Sequence, residues 1–294
     1  MQLTQLYRKI QGRVNKAAIL PYLLTLPVSI VLFLLLIYPL FYLFYLGLGQ
    51  SNFPYVGLHQ VRVFVTSPVF WRSSKISFVY LLGSVWGTVI FGFLIAFLLN
   101  GITKGRSIFY IIFIIPLAIA PIVTAKSWSM VLNPLYGILN HILGYVGIPP
   151  QEWITSIQLA LFSLIMVTIW RWTPLVVLIL YAGLQTLPKE PIEAAAIDGA
   201  GRWQILRQIT IPLLKPVLNI TILLQFIICF KEFDIVYGLT KGGPAECTET
   251  LVIRTFLEGY RYMNLKHAAI IGIFLLIGAL FITNIGYKIL IRQQ

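Results

Sequence analysis

Charge is scarce in this chain. Only 11% of its 294 residues are Asp, Glu, Lys or Arg, while 59% are hydrophobic and the mean hydropathy is +0.88. Soluble domains carry about 25% charged residues, so that class is excluded. Cysteine is nearly absent: Cys229 lies in an apolar run and Cys247 in the polar segment after it. Two cysteines make no disulfide framework, and a bridge between these two requires the chain to fold back. The three histidines, His59, His141 and His267, are far apart and lack metal-ligand spacing. No Gly-x-x-x-x-Gly-Lys-Ser/Thr phosphate loop occurs; the segment from Gly101 to Ser107, with Lys104 and Gly105, has the wrong spacing. A Gly-x-Ser-x-Gly elbow, a His-Glu-x-x-His helix and paired carboxylates are also missing. The expectation is a chain that is not catalytic by itself and holds no metal or cofactor. Its net charge of +13 is scattered over loops, with no basic patch for nucleic acid.

Long apolar runs are what the chain has in quantity. A spanning helix needs ~20 apolar residues, and six runs qualify, at about 18–46, 75–99, 108–131, 154–181, 213–230 and 268–290. They are continuously apolar instead of alternating, which selects helices over barrel strands. An all-α, polytopic membrane protein of about six spans follows. Residues 1–17 form a basic leading segment, and residues 18–294 one bundle without linkers or convincing repeats. The first run is too long for a signal-peptide core and reads as a retained span.

Basic residues set the orientation. With the N-terminus inside, twelve basic residues (Arg8, Lys9, Arg13, Lys16, Lys104, Arg106, Lys189, Arg202, Arg207, Lys215, Lys288 and Arg292) fall on the inner side. Eight fall outside: Arg62, Arg72, Lys75, Lys231, Lys241, Arg254, Arg261 and Lys266. That excess places both termini in the cytoplasm. Of the outer segments, 47–74 is long and aromatic enough to lie on the membrane. Segment 133–153 is punctuated by Asn-Pro, glycines and Pro149-Pro150 around a short helix at Ile138–Tyr145. Segment 231–266 is the longest.

Between the fourth and fifth runs, residues 188–216 form a polar, helix-shaped island on the inner side. Pro191 suits a first helical turn, Ala194 to Ala196 leave one side thin, and Gly199 permits a sharp turn before a second short helix. Trp203, Leu206 and Ile209 recur at three-residue steps as one apolar stripe, and Asp198 is placed to cap the second helix. The bland alternative is an ordinary interfacial amphipathic helix.

The pattern Glu193-Ala194-Ala195, Gly199 six residues after the glutamate, and then Ile209 to Pro212 resembles the EAA loop of ABC-importer permeases, with Ile211 in place of the usual leucine. Asn133-Pro-x-x-Gly-x-x-Asn140, Gly183-Leu-Gln-x-x-Pro188, Phe233-Asp234 and Thr240-Lys-Gly-Gly-Pro244 extend the likeness over residues 75–290. They match sugar-importer permeases of the glycerol-3-phosphate and trehalose type, first of the two non-identical permease subunits. Lys241 stands where that family commonly has glycine.

This resemblance implies a bacterial inner-membrane permease subunit importing a mono- or oligosaccharide or related polyol-phosphate. Its implied partners are two ATPase subunits that bind ATP and Mg, a second permease and an extracellular solute-binding protein. Glu193, Ala194, Ala195, Asp198, Gly199, Ile209 and Pro212 inherit the ATPase-coupling role, Glu193 held by an arginine of the ATPase.

Ionisable and aromatic residues inside spans suggest a substrate path. Lys126, Trp128, Trp170, Arg171 and Trp172 are the candidates, with Pro174 kinking the fourth span and Trp170, Arg171 and Trp172 facing a cavity beside it. The alternatives are that Lys126 snorkels outward and that Arg171 pairs with a backbone carbonyl or a neighbouring subunit. Asp234, also a candidate, stands three residues after Lys231, as a local ion pair or a contact for substrate or binding protein. An ion-coupled secondary transporter is the rival class; it calls for mid-membrane carboxylates, whereas every Asp and Glu here falls in a loop or at a span end.

Overall fold

The computed structural model describes residues 2–48, 56–102 and 106–288, and side chains from residue 21 onward apart from a few near the gaps. Lys104 and Arg292 of the orientation argument lie outside these residues. The chain divides into two compact units, residues 1–61 and 62–294. The first is dominated by α1 (Gln2–Leu48), whose stretch Pro21–Leu48 is long and apolar enough to cross a membrane.

The second unit is built around two long helices, α3 (Pro68–Gly101) and α7 (Ala160–Gln185), which form its most extensive contact. Ser67 caps α3 by accepting from the Phe70 N–H at 3.3 Å. Small residues let the two backbones approach: a Cβ on Gly92 would overlap Val176. Among apolar spans in lipid, close packing of this kind replaces water exclusion as the source of association. Around the pair lie α10 (Ile211–Phe230) and α13 (Leu265–Gly286). At one end α3 and α7 meet α10 through Ala96, Leu99, Val176, Leu180 and Leu214; at the other, Tyr80, Leu164 and Val167 join Ile235, Leu239 and Ile253 in a second core.

The architecture is all-α, with no strand among the described residues. Five stretches are long and apolar enough to span a membrane: Pro21–Leu48, Pro68–Gly101, Ala160–Gln185, Arg202–Phe230 and Leu265–Gly286. The third apolar run, at 108–131, is not one helix but two, α4 (Arg106–Ala118) and α5 (Pro121–Val131). Pro121 causes the break: the residue before a proline is driven from helical to extended geometry, and Ala120 has φ −60° and ψ 139°. Two other boundaries move. The fourth span starts at Ala160, after turns at residues 153–159 that are tied to α7 by Ser163 Oγ, which donates to the Trp153 carbonyl at 2.7 Å. The fifth is extended backward to Arg202 through a π-helical turn. Within 47–74, the described part contains α2 (Val56–Val65) and the start of α3.

The short helix expected at Ile138–Tyr145 is α6, with those limits. Its loop is knotted by two asparagines. Asn133 Oδ1 accepts from the Leu135 and Tyr136 N–H groups. Asn140 donates to the carbonyls of Pro134 and Gln151 and accepts from the Gln151 N–H and the Trp153 indole, at 2.7–3.2 Å.

Candidate coupling site

Four residues separate α7 from α8 (Glu190–Ile197). No residue of α8 is buried. Its end shows why the motif needs glycine six residues after Glu193. Asp198 is the C-cap, Gly199 follows with φ +83°, and two bonds close the turn: Gly199 N–H to Ala196 carbonyl at 3.2 Å and Ala200 N–H to Ala195 carbonyl at 2.9 Å. That is the Schellman arrangement, which requires a left-handed residue after the cap. The constraint is conformational, since nothing lies within 4 Å of where a Gly199 Cβ would stand. Asp198 therefore ends α8 and does not cap the helix after it. The cap of α9 (Arg202–Ile205) is Gly201, with no side-chain bond.

From α9 the chain enters the π turn Leu206–Thr210 and then α10. Pro212 lacks the N–H an α-helix would use there. The wider turn absorbs the defect, Ile211 N–H bonding back to the Leu206 carbonyl. The expected stripe is divided: Leu206 is buried, Ile209 half-buried and Trp203 73% exposed. Between the two short helices lies a notch of about 270 Å³ lined by Ala195, Asp198, Gly199, Ala200, Gln204, Ile205, Gln208 and Ile209. Glu193 and Ala194 are exposed beside it, and Ile197 is 86% exposed. Touching its own chain at α9 and the π turn, this thin-sided helix keeps most of its surface uncovered.

The six substrate-path candidates do not converge. Trp128 and Trp170 meet edge to face with centroids 5.4 Å apart, and Trp170 is 38% exposed; Lys126 is exposed on α5. Arg171 is 4% exposed and donates through Nη1 to the Pro116 carbonyl. Trp172 donates to Glu232 Oε2 at 3.1 Å. Successive helix residues are turned about 100° apart, so Trp170, Arg171 and Trp172 cannot share one cavity, contrary to the sequence expectation. A cavity of about 590 Å³ does lie beside Pro174, but of the three only Trp170 lines it. Its other walls, among them Phe91, Phe113, Pro116 and Ile169, are apolar, and Thr173 spends its hydroxyl on the Ile169 carbonyl. Asp234 is exposed in the first turn of α11 (Asp234–Leu239). Lys231 ends α10, so the two do not share a helical face, and no ion pair joins them.

The sequence places Glu232 with Lys231 and Asp234 at the outer end of the fifth span, as a local ion pair or a contact, but gives no sign that it, Glu249 and Glu258 are buried. Glu232 accepts from the Ile235 N–H at 3.2 Å as well as from Trp172. Burial pushes its pKa above the ordinary 4.5, with Asp234 adding to the rise and the two hydrogen bonds and Arg171 opposing it. Glu249 and Glu258 flank Arg254 on α12 (Leu251–Phe256) and the π turn after it, with contacts of 2.6–3.0 Å. Burial alone would lower the Arg254 pKa, but the hydrogen bonds it donates to the Glu249 and Glu258 carboxylates, with their charges, outweigh it and hold the group above its usual value. The only sequence signal was spacing: Arg254 lies five residues after Glu249 and four before Glu258.

Thr240-Lys-Gly-Gly-Pro244 is a tight loop. Thr248 Oγ1 bonds Thr240 Oγ1 at 2.7 Å and the Gly243 carbonyl at 2.8 Å. Lys241 has φ +55°, which accounts for the glycine that the resembling family commonly has there.

Residues 88–294 match the model of the binding-protein-dependent transport system inner membrane component family, and the chain belongs to that family. It is thus a multi-pass membrane protein of a transport system. It is 34% identical to the trehalose/maltose transport system permease protein MalF of Thermococcus litoralis over 85% of each chain. Identity to the sn-glycerol-3-phosphate transport system permease protein UgpA of Pectobacterium atrosepticum is 27%, over 95% of this chain and 97% of that one. In fold it is similar to a chain of a bacterial alginate ABC transporter in complex with an alginate pentasaccharide-bound periplasmic protein, with TM-score 0.82, 21% identity, and 95% and 96% of the two chains covered.

Proposed function

We propose that the chain is the first permease subunit of an ATP-binding-cassette importer for a carbohydrate or polyol-phosphate delivered by an extracellular binding protein. The observation that carries this reading is α8: it has no buried residue, is ended by a glycine-dependent turn, and links α7 to α10 by way of α9 and the π turn. The names of relatives, which include disaccharide and glycerol-3-phosphate systems, support the substrate class.

In this reading both termini and the 188–216 loop are cytoplasmic. Glu193 to Gly199 enter a groove of a partner ATPase, which binds ATP and Mg and hydrolyses ATP; this chain performs no catalysis and holds no cofactor. Two ATPase copies close on ATP and draw together the coupling loops of this chain and of a second, non-identical permease. The helix bundle then tips between inward- and outward-facing states. Trp128 and Trp170, with exposed Lys126 nearby, are the part of the original path set that offers a sugar an aromatic face and a cation. The decisive experiment is uptake into proteoliposomes holding both permeases, the ATPase and the binding protein. ATP-dependent uptake lost in Gly199→Val is expected; uptake driven by a proton or sodium gradient without ATP would replace this reading by a secondary transporter.

A further inference from the structure

The break in the third apolar run creates a structural debt. A helix end leaves its last four carbonyls without intrahelical partners, and inside a bilayer each bare carbonyl costs several kcal/mol. α4 ends at Ala118, so Pro116 carries one of these carbonyls. The group that reaches it is Arg171 from the middle of α7. An arginine at such a position is itself costly unless partnered. Each group therefore satisfies the other.

The neighbouring residue holds the other half of the break. Trp172, whose ring lies under the Arg171 guanidinium at 5.3 Å, donates to Glu232, and Glu232 Oε1 accepts from the Ile235 N–H in the first turn of α11. α11 packs on α5, Gly238 lying against Ala125 and Ile122. Two consecutive side chains of α7 thus reach both sides of the Pro121 break, one directly to α4 and the other to α5 through α11. The same helix ends at Gln185, five residues before α8.

We propose that Arg171 and Trp172 are positioning residues for transport, which set the angle between α4 and α5 and pass motion of the coupling loop, by way of α7, to the broken span. This rests on the transport reading above. Arg171 Nε, buried and without a hydrogen-bond partner, gives the guanidinium a spare donor with which to follow a moving α4.

The test uses the whole transporter in nanodiscs, with Cys229 and Cys247 replaced by alanine and spin labels at Ile111→Cys on α4 and Met130→Cys on α5, both positions exposed. The label–label distance distribution is measured with and without ATP, beside the ratio of ATP hydrolysis with the binding protein to that without it. Arg171→Met should broaden the distribution and lower the stimulation ratio by about fivefold or more, the low end of an allosteric coupling. Arg171→Lys keeps a donor for the same carbonyl and should restore both. Should Arg171→Met fail to assemble, Trp172→Phe, which removes the indole donor and keeps a smaller aromatic ring, should broaden the distribution by itself. An unchanged distribution and ratio in Arg171→Met or Trp172→Phe, or a lysine variant no better than methionine, overturns the proposal. Failure of the transport reading shows instead in the unmutated complex, as no ATP-dependent uptake.

Discussion

Gly199 combines a φ of +83° with empty space around the position of its missing Cβ, so a substitution there is judged by backbone alone. Left-handed geometry costs most residues roughly 1–2 kcal/mol, more for a β-branched side chain, and asparagine least. Co-purification of the ATPase should therefore fall in the order glycine, asparagine, alanine, valine, while membrane insertion is unchanged. Equal recovery with Gly199→Val would contradict the docking role. Lys241 presents the reverse case: at φ +55° a glycine relieves strain, and Lys241→Gly should raise the melting midpoint by about 1–3 °C in detergent. Glu232 gives a pH dependence. Its folded pKa is raised, so the folded state holds the proton more tightly than the unfolded one. Stability from this group is full below the ordinary 4.5 and declines as pH rises above it toward the folded value. Glu232→Gln removes that decline, so its melting midpoint should change less than the wild type's between pH 4.5 and 8.

At the scale of elements, the loop holding α6 depends on Asn140, which makes four bonds to Pro134, Gln151 and Trp153. Asn140→Ala leaves partly buried groups unpaired, at about 1–3 kcal/mol each, and should speed chymotrypsin cleavage at Tyr136, Tyr145 or Trp153 in the reconstituted complex. Much of this level was legible in the sequence. Ile138–Tyr145 and the turn at Gly199 were both readable, because each is dictated by local chemistry: punctuating glycines and prolines in one, a helix cap in the other. The third apolar run was misread because composition reports hydropathy over ~20 residues and says nothing of Pro121 forcing Ala120 out of helical geometry. The helix and turn of residues 190–199 are legible for that local reason, whereas the partners of the substrate-path set are not. Trp170, Arg171 and Trp172 are neighbours in sequence, yet their partners are Trp128, the Pro116 carbonyl and Glu232. Only the tertiary arrangement separates them.

Over the whole molecule, a multi-pass chain of a transport family displays a helix with no buried residue, exposed Ile197 and Trp203, and a notch between its two short helices. These features are unfavourable in a free subunit and sensible in an assembly. The central claim is that this chain works only as part of a complex with ATPase partners bound at residues 188–216. The most direct measurement is the native mass of the detergent-extracted, transport-active particle. The account predicts one copy of this chain, one of a different permease and two of an ATPase, with the ATPase lost from the Gly199→Val particle. A particle containing no ATPase chain that still drives full uptake would contradict it.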